Sequence, residues 1–442
     1  MKAFPRHYPT EFSAKVLGGA LFAFPLLMAI ASHWASTIFV LVAVIAFFSM
    51  RAALSMFASR APLRIEELLY IGIVLAYLGT TVISNTLSGW TEGSISWFEA
   101  TFRFLLAIPL FLYMRAHPEC VMYLLRAVPL AGIIIGSYVL AMLFIENGRI
   151  DGPYGPIVVG NMAVLLMVVS LATMQYPTYR LTWKIPIHLV GAMFALVAVV
   201  LSGTRSAWLA TLIVLPMAIF MALKALPSPR LRTGILIGTM VAFGAVIMVS
   251  VLGQPKLTQE RLALAVKQTT DYLSAETREQ RDQASRTSIG VRLEQWRVGL
   301  LVFSDHPFFG VGVGNVGDEI NQRISEGRVS PAIEVPSRRV NSNVHLHSAY
   351  IDALAFKGAI GFSALMLLLL YPAVLGLSRQ MRGKRAWDLA ILVMMVFAVI
   401  SLTVDPFIRN GYTSIYIMFQ MSALALLFSE KAMKQDSTTI HP

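Results

Sequence analysis

Asn343-Val-His-Leu-His-Ser-Ala-Tyr-Ile-Asp-Ala-Leu-Ala-Phe-Lys-Gly-Ala-Ile-Gly361 joins two chemically opposite parts of the chain. Before it runs the one long polar segment, about residues 254–344; after it comes the apolar run Phe362–Leu377. A polar chain that turns apolar over a bilayer's thickness reads as the entry of a membrane helix. His345 and His347 stand at its lip. A titratable ring at such a boundary, beside a large solvent-facing segment, suits chemistry on a lipid-borne substrate.

Composition agrees with a membrane location. The chain has 442 residues, 56% of them hydrophobic and 14% charged, where a soluble domain averages about 25% charged. The fold class is therefore all-α and polytopic. Apolar runs long enough to span occur near 14–32, 36–57, 66–88, 97–114, 119–145, 157–176, 184–202, 204–224, 232–253, 346–377, 386–404 and 412–430, so twelve spans are expected. The run after Lys15 lacks a small-residue cleavage site and reads as a retained first span. Cys120 is the only cysteine, which excludes an intramolecular disulfide.

The net charge of +12 is mostly a topology signal. With Met1 cytoplasmic, the short inner segments carry repeated cations, among them Arg51, Arg60, Arg64, Arg115, Arg180, Lys184, Lys224, Arg230, Arg232, Arg379, Arg382, Lys384 and Arg385. The short outer loops carry only Arg149, Arg205 and Arg409. By the positive-inside rule both termini are cytoplasmic and the polar segment between spans 9 and 10 is outside. The organisation expected is spans 1–9 over 1–253, an outer segment over 254–345 lying across the bundle, and spans 10–12 over 346–442. That outer segment holds 12 Lys+Arg against 11 Asp+Glu and forms no basic stripe, so nucleic acid is not an expected partner. Within it, Leu257–Ala284 reads as one polar amphipathic helix, Val291–Phe303 as a second, and Arg323–Val340 as a loop.

Several residues can carry chemistry. His347 suits a general base or a substrate ligand, against the simpler reading of a hydrogen-bonded interfacial ring. His345-x-His347 invites a metal, but on a helix i and i+2 diverge, and only His306 or Asp352 could complete a set. Arg205, in the compact turn Ser202-Gly-Thr-Arg-Ser206, breaks the topology rule and suits an anion. Arg292 lies four residues before Trp296. Planar guanidinium forks converging there would favour a diphosphate. Arg338 and Arg339 are further candidates, as are His345 and Tyr350. Arg103 and Lys357 are cations inside spans. Gly310-Val-Gly-Val-Gly314 has no βαβ frame, so it reads as a tight turn against the bundle, and Asp151-Gly-Pro-Tyr-Gly-Pro156 as turn chemistry beside the mouth.

The ordered set Ser202-Gly-Thr-Arg205-Ser-Ala, Arg292-x-x-x-Trp296, Asp305-His-Pro-Phe-Phe-Gly-Val-Gly-Val-Gly-Asn315 and His347-Ser-x-Tyr350…Gly358-x-x-Gly361 resembles the O-antigen ligase family. Related O-antigen polymerases and protein O-oligosaccharyltransferases belong to the same group, with a C-type glycosyltransferase-like fold. The resemblance implies an inner-membrane enzyme with a periplasmic site and no cofactor. It would move a glycan from undecaprenyl diphosphate to a sugar hydroxyl of lipid A–core. It places the catalytic histidine at His347 and diphosphate-binding arginines at Arg205 and Arg292. Lys357 departs from the family pattern, which is usually acidic there.

The chemistry is coherent. A diphosphate already leaves well, so the enzyme must hold its charge, which arginines do without a metal, and take the acceptor's proton. A neutral histidine near its reference pKa of about 6.5 suits that second task. Direct attack would invert the anomeric centre. The rivals are an O-antigen polymerase using the same donor and a twelve-span transporter. The latter lacks support, because no repeat relates the two halves of this chain.

Overall fold

The computed structural model describes residues 11–30, 32–59, 63–142, 155–174, 176, 181–224, 228–230, 232–234, 236–238, 241, 244, 255–336, 344–378, 380–382 and 384–429. All regular structure among them is helical. The bundle comprises α1 (Glu11–Ile30), α2 (Ser32–Ser59), α3 (Ile65–Ser88), α4 (Glu92–Ala116), α5 (Glu119–Met142), α6 (Pro156–Thr173), α7 (Leu181–Leu201) and α8 (Arg205–Lys224). The polar segment supplies α9 (Pro255–Leu273), α10 (Arg278–Ser285), α11 (Gly290–Asp305) and α12 (Val316–Ser325). The chain then returns through α13 (Ala349–Leu375), α14 (Arg385–Ile400) and α15 (Asn410–Phe428).

Seven of the described helices (α3, α4, α5, α6, α8, α13 and α15) are long and apolar enough to cross a membrane, and shorter apolar stretches lie in α1, α2 and α7. Helices lie over the expected spans other than 232–253, most of which falls outside the described residues. Burial sorts the helices. The apolar windows of α6 and α15 are 89% and 94% buried, whereas that of α3 is 39% buried. Helices α6 and α15 therefore form the centre, and their apolar residues meet protein on all sides. α1 packs on α5, α5 on α7, α7 on α6, and α15 on α4 and α2. The α5–α7 contact is close because Gly132 and Gly136 of α5 lie against the backbone of Gly191 and Phe194, the small-x-x-x-small device that lets helix backbones approach.

The polar segment is built onto the bundle. Its apolar core joins Val298, Val302, Val311, Val313, Val316, Ile320, Val329 and Ile333 to Trp97 of α4 and to Leu346, Ala355 and Phe356. Two sequence expectations are corrected inside it. The single helix expected over 257–284 is interrupted, because Thr277 and Gln280 form a capping box that starts α10. The loop expected over 323–340 begins inside α12 and includes a 3-10 turn at Pro331–Ile333; residues 337–340 lie outside the described residues.

Helix α13 is broken at Gly358, where φ is 64° and ψ is −164°. The segment after α11 repairs the break bond for bond. The amides of Ala359 and Ile360 donate to the carbonyls of Pro307 (2.7 Å) and Phe308 (3.3 Å). The carbonyls of Ala355 and Phe356, which those amides would have served in a continuous helix, accept from Val311 (3.1 Å) and Gly312 (3.0 Å). Irregular backbone within a membrane span survives only where protein satisfies its polar groups. Gly358 and Gly310 both need positive φ, and each lies against the other strand's backbone, so neither site has room for a Cβ. The glycine-rich motif is thus a turn against the bundle, as its sequence indicated.

Candidate functional site

Just before α13 the chain makes a tight turn through His345, Leu346, His347 and Ser348. His347 has φ 58°, the one non-glycine residue with positive φ among the described residues. That conformation costs about 1–3 kcal/mol and persists only where neighbours over-determine it. Three contacts do so. The Leu346 amide donates to Asp352 Oδ1 at 2.7 Å. The Asp352 amide donates to the Ser348 carbonyl at 2.8 Å, and the Ala349 amide to the Ser401 carbonyl at 3.0 Å.

The turn overrides the argument that residues two apart must diverge. His345 and His347 are not helical, and their rings meet edge to face with centroids 4.2 Å apart. Asp352 does fold in, but toward the backbone between the rings. Among the described residues no group of three or more His, Cys, Asp or Glu side chains is placed to hold a metal ion.

Electrostatics sets the state of the rings. Burial, then the charges of Arg292 and Arg409, lowers His347 from 6.5 to about 4. Burial, then His347, Arg409 and Arg292, lowers His345 to about 3. Each cause penalises the imidazolium. The expectation of a ring titrating near 6.5 is corrected: at neutral pH both rings are uncharged and able to accept a proton. The Trp296 indole nitrogen on α11 and His345 Nδ1 in the turn are each buried without a hydrogen-bond partner among the described residues.

The structure therefore brings together His345, His347, Arg292 and Arg409. Arg292 arrives on α11, whose Gly299 lies against Leu346 and Ile351. Arg409 arrives from the turn between α14 and α15. Sequence reasoning passed over Arg409, although it is one of three cations in the short loops that the topology rule keeps poor in charge. Arg205 stands exposed at the first position of α8. Its neighbour Ser206 donates to Asn161 Oδ1 (3.0 Å), and the Asn161 amide donates to the Tyr412 hydroxyl (3.3 Å). That chain ties the start of α8 to the start of α15, next to Arg409.

Other candidates take structural roles. The Tyr350 hydroxyl donates to the Ala398 carbonyl at 2.8 Å, joining α13 to α14. Arg103 is buried and donates to Glu99, Ser36 and Asn410, linking α4, α2 and α15. Lys357 is buried with its Nζ 4.2 Å from the Tyr77 ring centroid, within range of the Asp405 and Asp352 charges. A cavity of about 20 Å³ lies beside it, lined by Tyr77, Trp97, Lys357 and Asp405 among others. That is room for about one water. Arg338, Arg339 and residues 151–154 lie outside the described residues.

A family model described as O-antigen ligase matches residues 190–366, a range that runs from α7 through the polar segment and the histidine turn to beyond the break in α13. The chain resembles the O-antigen ligase family. It is 26% identical over 302 residues to the O-antigen ligase of Escherichia coli K12, covering 67% of this chain and 64% of that protein. It is 23% identical over 273 residues to an uncharacterized protein of Haemophilus influenzae, covering 61% and 63%. The chain thus spans slightly under two thirds of the length of these relatives. The matched region of the O-antigen ligase model includes Arg205, Arg292 and His347 and stops before Arg409.

Proposed function

We propose that this protein is a membrane glycosyltransferase that moves O-antigen polysaccharide from undecaprenyl diphosphate to a sugar hydroxyl of lipid A–core, on the periplasmic face of the bacterial inner membrane. The observation that carries the reading is the left-handed His347, held as a neutral ring between the charges of Arg292 and Arg409. A base kept uncharged beside two guanidinium groups matches a reaction that removes one proton while a diphosphate leaves.

The acceptor hydroxyl gives its proton to His347, and its oxygen forms a bond to the anomeric carbon. The bond from that carbon to the diphosphate oxygen breaks, and undecaprenyl diphosphate leaves with the electron pair. The configuration at carbon inverts. Arg292 and Arg409, with Arg205 at the start of α8, offset the charge on the leaving group. Protonated His347 then returns its proton to solvent. Guanidinium groups make a divalent cation unnecessary in this scheme.

A base near pKa 4 is a poor proton acceptor; burial is the largest cause of that value, and the two arginines add to it. The incoming diphosphate offsets the arginines' part and so raises the ring above its substrate-free value. Purified protein given undecaprenyl-diphosphate glycan and lipid A–core tests the proposal; absence of joined product in that reaction would overturn it. In cells, deletion should leave lipid-linked O-antigen made but unattached. Attachment of single repeat units would instead identify a polymerase.

A further inference from the structure

Helix α11 has a second charged face. At 3.6 residues per turn, Arg292 and Arg297 lie about 140° apart around the helix. Arg292 and Gly299 face the histidine turn, whereas Arg297 and Leu301 face away from it into a separate pocket of about 320 Å³. Arg278, Arg281 and Asp282 of α10 form another wall, and Arg328 closes it from the loop after α12. Four guanidinium groups face one carboxylate. Gly327, at φ 74°, lets the loop turn under Arg278, whose Nη1 would lie 2.6 Å from any Cβ at that position.

Existing pairs take up the charge of two of these arginines and leave that of Arg278 and Arg281. Arg297 is 3.1 Å from buried Glu294, which also accepts the Ser330 amide at 2.8 Å. Arg328 reaches Asp305 (3.5 Å) and Glu326 (3.6 Å). Arg281 donates to the Ala275 carbonyl at 3.4 Å. Among the described residues neither Arg278 nor Arg281 is within ion-pair distance of a carboxylate. The pocket is concave and of ligand size, and its Arg278 and Arg281 present guanidinium groups that no carboxylate among the described residues pairs.

We propose that this pocket is a second anion site, which binds a phosphate-bearing saccharide of the glycan acceptor. The inference rests on the transferase reading above for the identity of the acceptor. The pocket is lined wholly by the polar segment and by no residue of a membrane-crossing helix, which favours a sugar substituent on the hydrophilic part of the acceptor over a prenyl diphosphate or a lipid headgroup. With α11 as the shared wall, an anion held by Arg278 and Arg281 would set the acceptor on the far side of the helix that presents Arg292 to the donor.

The test uses the full-length protein in nanodiscs and a deacylated, phosphorylated core saccharide as probe, against the same saccharide stripped of phosphate but retaining its carboxylates. The wild type should bind the phosphorylated probe at least about tenfold more tightly, and Arg278→Gln/Arg281→Gln should erase that preference. Should the glutamine pair fail to insert, Arg278→Lys/Arg281→Lys keeps the charge, loses the fork and should lose about threefold of the preference. In transfer assays the glutamine pair should raise the acceptor KM about tenfold and leave the donor KM unmoved. The binding arm needs no turnover. A preference erased by the variant supports the pocket even where no transfer occurs, a result that counts against the transferase reading alone. Equal binding of the two probes, a preference that survives both variants, a shift confined to the donor KM, or complete displacement by an equal concentration of inorganic phosphate would each overturn it.

Discussion

The backbone amide of Leu346, the residue between the two histidines, donates to the buried carboxylate of Asp352 at 2.7 Å. Asp352 touches neither ring, yet it anchors the turn that holds His347 at positive φ. Leaving the buried Leu346 amide without an acceptor costs about 1–3 kcal/mol, so Asp352→Ala should lower kcat by roughly five- to a hundredfold. Asp352→Asn, which keeps an acceptor oxygen, should recover most of that loss. Unchanged kcat in the alanine variant, with the protein correctly inserted, would show that the turn needs no such anchor.

The two histidines should separate. His347→Ala should abolish detectable ligation while the protein still inserts and binds the lipid-linked donor, since general-base help contributes about 10²–10⁴-fold. His345→Ala should keep appreciable activity. Because the rings touch, its loss removes a packing partner and about severalfold in rate is expected. A dead His345→Ala beside an active His347→Ala would reverse their roles.

The pH profile has a definite sign. His347 is a base, active when neutral, with its free-enzyme pKa lowered to about 4. Log kcat/KM should therefore stay flat from neutral pH down to about 5 and fall as pH drops through about 4. Log kcat reports the substrate complex, where the diphosphate offsets Arg292 and Arg409. Its limb should lie at higher pH, toward 6.5, and both limbs should vanish in His347→Ala. A kcat/KM limb already at 6.5 would mean that neither burial nor the arginines depress the ring.

Guanidinium shape should matter as well as charge. Arg292→Ala, Arg205→Ala and Arg409→Ala should each lower transfer more than about tenfold, and lysine should rescue only in part, because a point charge cannot bridge two oxygens. Full activity in Arg205→Ala would confine the diphosphate site to the arginines beside the histidine turn.

Chelation provides a separate check. With arginines holding the leaving group, excess EDTA should leave the transfer rate unchanged. Loss restored by Mg²⁺ or Mn²⁺ would bring His345 and His347 back as ligands.

Much was fixed by local chemistry. Apolar runs must be helical in a bilayer, because only helices satisfy their own backbone there, so the positions of the spanning helices follow from composition. The Thr277–Gln280 capping box is equally local and could have been read before the helix was extended through it. The order of motifs named His347 and Arg292, and the charge of Arg292 acts on the His347 ring. Tertiary structure alone decided the rest. That Pro307–Gly312 repairs the break at Gly358 depends on two backbones about 50 residues apart becoming adjacent. That Arg409 faces the histidines depends on how α14 and α15 pack beside α13. The pKa of His347 follows from neither its identity nor its neighbours in sequence, since burial and two distant charges set it. Hydrophobic periodicity is a property of a segment, whereas a site is a meeting of segments, and only packing determines which of them meet.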